Sequence, residues 1–166
     1  MDIYFDKKSS KNYILNCSYG LLKSYDYDKD KLFNNYAKTT DNNDFNTYYH
    51  FVINDNGIKT KLITTHSIGK IKIFNFNSAE LLSEIKMVDS RRSFSSLCLW
   101  NNNYLFFANE KCSLKLIDIE KEKVRKTFPK ESENGIVVKM FHHPLIGKCI
   151  LSQHKDETIK LWVLDN

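Results

Sequence analysis

The sequence is poor in the residues that mark disordered or linker-rich chains, with only two prolines and five glycines among 166 residues. It contains no apolar run near the roughly 20 residues that a membrane-spanning helix requires. Residues 1–6 carry acidic side chains and no apolar stretch of the kind found in a signal peptide, so we expect no secretory leader. These absences predict a folded protein of the cytoplasm, with the nucleus as the alternative location.

Arginine is scarce, so the formal net charge of +5 depends almost wholly on lysine. The arginines are Arg91, Arg92 and Arg125, whereas lysine and asparagine are scattered along the whole chain. A dedicated phosphate-binding surface more often clusters arginines. We therefore expect no nucleic-acid partner.

The four cysteines form no C-x-x-C pair, and no Cys/His spacing matches a zinc site. Three of them, Cys17, Cys98 and Cys149, lie in apolar stretches, where a reduced cysteine behaves as a small buried hydrophobe. Cys112 is the fourth. The adjacent pair His142-His143 precedes Pro144 and is interpreted as the end of a strand. We predict neither a metal site nor a cofactor.

Enzyme signatures are missing as well. The sequence contains no nucleophile elbow, P-loop, H-E-x-x-H zinc motif or glycine-rich dinucleotide motif. We therefore predict no catalytic residue and a protein that is not an enzyme.

The positive feature is an internal repeat. Four segments share a pattern of six positions: an apolar residue, a lysine, a mostly apolar position, a bulky residue, a variable position and an apolar residue. The segments are 22–27, 71–76, 114–119 and 159–164. Their bulky residues, Tyr25, Phe74, Ile117 and Trp162, lie 49, 43 and 45 residues apart. That spacing is close to the period of about 40–45 residues that is typical of β-propeller blades.

Alternation within the repeat indicates strands that are apolar on both faces. Successive side chains of a strand point to opposite sides, so Ile71 and Ile73 oppose Phe74 and Phe76 in the second copy. Sheets stacked between neighbouring sheets would cover both faces. A parallel sheet between helices would do so too, and the segments 79–86 and 119–126 are compatible with short helices as well as with turns and outer strands.

The order of apolar runs and breaker turns around each copy indicates four antiparallel strands per unit. The predicted fold is all-β, with four antiparallel β-propeller blades, of which the last lacks its outer strand. Residues 1–166 are expected to form one propeller domain or a propeller fragment. The expected blades span about 1–36, 47–86, 94–128 and 136–166.

The last repeat resembles a WD repeat. Ile150-Leu151-Ser152, a polar turn with Asp156, and Thr158 to Trp162 match the second half of that repeat. In the family, a His, an Asp, a Ser or Thr and the Trp form a hydrogen-bonded tetrad. Ser152, Asp156 and Trp162 match three members. No Gly-His pair precedes any blade, so we expect the network to lack its histidine and apolar stacking to hold the blades.

The resemblance, which spans the chain, implies a non-catalytic scaffold that binds partner proteins or peptides through loops on the propeller rim. The residues assigned to those loops are His66, Arg91, Arg92, His154 and Lys155. An alternative function is binding of phosphoinositides at a membrane surface through Arg91-Arg92. Because closed propellers have 4 to 8 blades, four blades suggest a small closed ring, a fragment, or an arc that a second copy completes. An open arc would expose apolar blade faces, and these would favour self-association.

Overall fold

The fold, seen in a computed structural model, consists of fifteen β-strands. The structure describes residues 2–18, 21–36, 47–55, 59–66, 70–87, 95–101, 103–109, 112–128, 135–154 and 156–163. Within these ranges there are strands and turns and no helix. None of the described residues therefore belongs to a helix with the length and hydropathy of a membrane span.

The strands form four separate antiparallel sheets, each built from strands that follow one another in the chain. Blade 1 contains β1 (Asp2–Asp6), β2 (Lys11–Ser18), β3 (Leu21–Asp26) and β4 (Lys31–Asn35). Blade 2 contains β5 (Thr47–Asp55), β6 (Lys59–His66), β7 (Lys70–Asn75) and β8 (Leu81–Lys86). Blade 3 contains β9 (Ser95–Asn101), β10 (Tyr104–Asn109), β11 (Cys112–Asp118) and β12 (Lys123–Thr127). Blade 4 has three described strands, β13 (Gly135–His143), β14 (Gly147–His154) and β15 (Ile159–Val163).

The predicted architecture of four antiparallel sheets, the last with three strands, is confirmed. The ambiguous segments 79–86 and 119–126 contribute to outer strands, β8 and β12, and not to helices. First strands of consecutive blades lie next to each other, since β9 contacts both β5 and β13. This is the arrangement of propeller blades around a common axis.

One turn design recurs at the same end of the first three blades. In the turn between the third and fourth strands, the first residue is Asp26, Asn75 or Asp118, and its side chain accepts a hydrogen bond from a backbone N–H within the turn. The fourth residue after it has a left-handed backbone, with φ between 50° and 57° at Asp30, Ala79 and Glu122. Such a side-chain bond fixes the turn locally, so each hairpin has a defined register.

The two sides of each blade face different neighbours. We call the side toward the preceding blade the leading face and the side toward the next blade the trailing face. In blade 2, Phe74 and Phe76 lie on the leading face and pack against blade 1, whereas Ile71 and Ile73 lie on the trailing face and pack against blade 3. The predicted opposition of these two pairs, with both sides dry, is confirmed.

The hydrophobic core is therefore divided into three layers, one between each pair of consecutive blades. The residue that directly follows each outer strand closes a layer: Tyr36, Met87 and Phe128 are all at least 94% buried. Burial of apolar surface at about 25 cal/mol per Å² is the main force that holds such layers together. The fold is thus a stack of sheets in which each contact is made between neighbours in the chain.

Polar contacts fix the blades in register. The Tyr36 hydroxyl donates to the carbonyl oxygen of Phe76 in blade 2 at 2.7 Å and lies 3.0 Å from the Ser24 hydroxyl. Ser96 on β9 exchanges two hydrogen bonds with the backbone of Val138 on β13, at 3.2 and 3.3 Å. Because buried polar groups are costly unless they are paired, these bonds specify one arrangement of neighbouring blades.

Candidate functional site

The last blade contains a buried hydrogen-bond network that starts at the repeat tryptophan. The Trp162 Nε1–H donates to the Ser152 hydroxyl oxygen at 2.7 Å, and this oxygen lies 2.8 Å from His154 Nε2. Ser152 and His154 are two residues apart on β14, so their side chains point to the same side of the strand. Trp162 on β15 pairs with Ile150 on β14, and Ile150 points to the same side as Ser152. The Trp162 side chain therefore lies on the side of Ser152 and His154.

The direction of one bond in this network is fixed. The indole N–H can only donate, so the Ser152 oxygen accepts from Trp162. The direction of the Ser152–His154 bond follows the imidazole tautomer. His154 Nδ1 is buried and has no hydrogen-bond partner among the described residues. The network thus ends in one unsatisfied polar atom.

This geometry corrects two expectations from the sequence. The network does contain a histidine, and it comes from the end of β14 in the same blade and not from a loop that precedes the blade. His154 was expected in a rim turn, but it is the last residue of β14 and only 8% of its surface is exposed. Its contacts give it a role inside the blade.

The other predicted blade positions have distinct surroundings. Phe74 and Ile117 are buried between blades, and the Trp162 ring lies 5.2 Å from the Phe128 ring of blade 3. Tyr25 is half-buried on the leading face of blade 1. Asp156 is exposed, and its Oδ1 accepts hydrogen bonds from the backbone N–H and the hydroxyl of Thr158. Asp156 therefore shapes the turn between β14 and β15.

Most of the residues assigned to the rim are not in the described part. Arg91, Arg92 and Lys155 lie outside the described residues, so their binding role, including the phosphoinositide alternative, stays a prediction. His66 is the last residue of β6 and pairs in register with Lys70. His66 and His154 were both expected in the turn between the second and third strands, and both instead end the second strand of their blade.

The turn between β13 and β14, which the sequence predicts as a turn but does not assign to a binding site, is apolar. Leu145 is 89% exposed and Ile146 is 45% exposed. The His143 ring nitrogen Nδ1 accepts hydrogen bonds from the backbone N–H groups of both residues, at 3.1 and 3.3 Å. Gly147 completes the turn with a φ of 79°, a conformation that favours glycine. Two adjacent aliphatic residues inside a polar turn were the signal that could have revealed this site.

Three of the cysteines have free thiols in the described part of the chain. Cys98 and Cys149 are buried and Cys17 is half-buried, all as free thiols. Burial raises the pKa of the Cys98 thiol to about 11, although a backbone hydrogen bond with Met140 opposes this. Within the described ranges, no three His, Cys, Asp or Glu side chains converge in a way that could hold a metal ion.

Comparison with known proteins identifies the fold. No family model and no curated protein sequence matches the chain. Among solved structures, the chain is similar to the WD40 β-propeller domain of Doa1, at 13% identity and a TM-score of 0.69. The match covers 98% of this chain and 50% of that one.

Two computationally designed propeller proteins are also similar, at 14% identity and a TM-score of 0.69. The Ika4 match covers 98% of this chain and 89% of that one, and the Ika8 match covers 99% and 45%. The chain therefore has a propeller-type fold and spans about half the length of the longer structures. At these identities the likeness concerns the fold alone.

Proposed function

We propose that this chain is a non-catalytic scaffold that binds partner proteins or peptides through turns on the propeller rim. The observation that carries the proposal is the β13–β14 turn, which holds Leu145 almost fully in solvent on a hydrogen-bonded frame. This turn lies at the opposite end of β14 from His154. Exposed aliphatic residues are common singly, but here two adjacent ones share a fixed turn. Such a pair can act as an apolar anchor for an incoming chain.

Rigidity makes this anchor effective. His143 accepts from both of the backbone N–H groups that precede Gly147, so the turn loses little conformational freedom when a partner binds. A preorganised contact costs less ordering entropy, and a few such apolar anchors carry most of the affinity at protein interfaces. The turn is also attached directly to β13 and β14, whose pairing is continuous from Val137 to His143.

The fold supports the same function at a coarser level. Propeller blades present turns at both ends of a stiff stack, and binding residues are often found on loops that a rigid scaffold positions. The WD40-type likeness fits protein binding in general. Fold alone does not assign function, so the proposal depends on the turn itself.

Selection from a random peptide library, with the purified chain as bait, tests the proposal. We expect enriched peptides with apolar side chains, and we expect Leu145→Asp to weaken their binding by about tenfold or more, since a buried anchor is worth at least 1–2 kcal/mol. Val124→Asp is the matched control, because Val124 is an exposed aliphatic residue on the outer strand β12. Failure to enrich any peptide, or equal loss in both variants, would contradict a binding role for this turn.

A further inference from the structure

Blade 4 presents a largely apolar sheet face that no other described blade covers. Its trailing face includes Leu151, Ile159, Leu161 and Val163, which are 38%, 70%, 49% and 48% exposed. The exposed polar residues Lys139 and Gln153 lie on the same side, because they pair with Leu151 and Ile159. Strand alternation and the pairing of Leu151 with Leu161 put all four aliphatic residues on one side of the sheet. This is the largest group of exposed aliphatic residues on one described sheet face.

The corresponding positions of blade 2 are buried. Ile71 and Ile73 of blade 2 correspond in the repeat to Ile159 and Leu161, and they are 0% and 2% exposed. They are buried because the leading face of blade 3 packs on them. The trailing face of blade 4 therefore has the composition of a blade contact and lacks the blade that would cover it.

Blade 1 presents the other half of such a contact. Its leading face contains Ile3 and Phe5, which are 71% and 50% exposed, together with the half-buried Ile14 and Tyr25. Ile3, Ile14 and Tyr25 lie opposite one another across three strands. The counterparts of Tyr25 in blades 2 and 3 are only 5% and 0% exposed, because a preceding blade covers them.

The one charged position on this face also has a buried counterpart. Lys23 occupies the repeat position of Lys115, which lies on the leading face of blade 3. The Lys115 ammonium donates to the backbone carbonyl oxygen of Met87 in blade 2, at 3.3 Å. A lysine at this position is therefore compatible with a blade contact, since its long stem can pack while its charge finds a carbonyl.

We propose that two copies of this chain associate through these faces, the trailing face of blade 4 in each copy packing on the leading face of blade 1 in the other. All three contacts within the chain join a trailing face to a leading face, and one chain carries one free face of each kind. The chain spans 45% and 50% of the Ika8 and Doa1 chains that it matches, which is the share that one copy would contribute to a ring of two copies. Two copies would complete a ring of eight blades, within the known range of 4 to 8.

The free surface approaches the area that a specific pair buries. Full burial of an aliphatic or phenylalanine side chain removes about 60–120 Å² of apolar surface, so these faces together leave roughly 300–400 Å² to be covered in each contact. A closed pair contains this contact twice, because residue i meets residue j and j meets i about the twofold axis. With the polar atoms around them, the two contacts approach the range of roughly 1,200–2,000 Å² found for specific interfaces.

Sedimentation equilibrium of the full chain tests this proposal. We expect the mass to rise with concentration and to level off at twice the chain mass of 19.6 kDa. Leu161→Lys and Ile3→Lys each alter both contacts of the pair, so each should weaken association by about tenfold or more. Leu82→Lys is the matched control, because Leu82 is 44% exposed on the outer strand β8 and away from both faces.

The outcomes are distinct from those of the rim proposal, because Leu145 is on neither face. If Leu161→Lys loses its far-ultraviolet strand signal, Ile159→Thr replaces it, since threonine keeps a strand-favouring side chain at a position that is already 70% exposed. A chain that stays monomeric up to about 100 µM, where even weak specific pairs form, would overturn the proposal. A mass that grows without limit, or a pair unaffected by the changes to both faces, would overturn it too.

Discussion

Replacement of Ser152 by alanine is the sharpest test of how the last blade is held together. Ser152 is fully buried, and its oxygen connects Trp162 Nε1 with His154 Nε2. Ser152→Ala removes this shared partner and adds no bulk. Both nitrogen atoms then lose a hydrogen bond in surroundings where water replaces it poorly.

The expected cost follows from these two orphaned groups. A buried polar group without a partner costs about 1–3 kcal/mol. His154 is 8% exposed and should incur most of that penalty, whereas the half-buried Trp162 should recover part of its hydrogen bonding from water. We expect Ser152→Ala to lower the free energy of unfolding by about 2–4 kcal/mol, a large fraction of the 5–15 kcal/mol typical of a domain.

Urea denaturation followed by far-ultraviolet circular dichroism measures this cost. Ser83→Ala, at a partly exposed position of β8, is the control and should change stability by less than about 0.5 kcal/mol. Trp162→Phe keeps an aromatic ring and removes the indole donor. Because both changes remove the same hydrogen bond, the double variant should lose about 0.5–3 kcal/mol less than the sum of the losses in Trp162→Phe and Ser152→Ala. Equal costs for the two serine variants, or strictly additive costs in the double variant, would refute the network.

Two further outcomes are expected from local features. Glu122→Gly should stabilise the chain by up to about 1 kcal/mol, because Glu122 is exposed and held at a φ of 54° that costs an L-residue about 1–2 kcal/mol. Thermal denaturation measures this effect, and a loss of stability as large as that of Val124→Gly would contradict it. Burial raises the pKa of Tyr36 to about 12, above the usual value of 10.0, so the folded state retains this proton after the unfolded state has lost it. The contribution of this proton to the free energy of unfolding is therefore complete below pH 10. As the pH rises toward 12, the free energy of unfolding falls by up to about 1.4 kcal/mol per pH unit. Tyr36→Phe should remove this part of the slope in denaturation series at pH 9–11, and identical slopes in both proteins would argue against it.

The inner strands of each blade were predictable because their apolar side chains alternate between the two faces of the sheet. Ile71 and Ile73 oppose Phe74 and Phe76, and only a sheet covered on both sides can bury both pairs. Outer strands carry no such pattern. All five residues of β12 are exposed, so neither a strand nor a helix period can be detected, and the strand exists because β11 offers it backbone partners.

The candidate sites were harder to predict because they depend on positions that the family pattern does not mark. The network histidine was sought in a loop before the blade, whereas His154 reaches Ser152 simply by being two residues further along the same strand. The turn at 144–147 was predictable from Pro144 and Gly147, but the exposure of Leu145 and Ile146 was not, because no family motif marks these two positions. The structure shows that His143 binds the turn backbone and thereby exposes Leu145.

The polar network and the open face lie on opposite sides of blade 4. Each blade in such an array is stabilised by its neighbours, and blade 3 has one on each side, so a fully buried Phe107 can occupy the repeat position that Ser152 holds in blade 4. Blade 4 has an apolar layer on its leading face only, as the exposure of Leu161 and Val163 shows. Hydrogen bonds from Trp162 through Ser152 to His154 join the second strand of the blade to the third on the side that blade 3 covers. The apolar layer is missing on the opposite side, where a second copy would supply it.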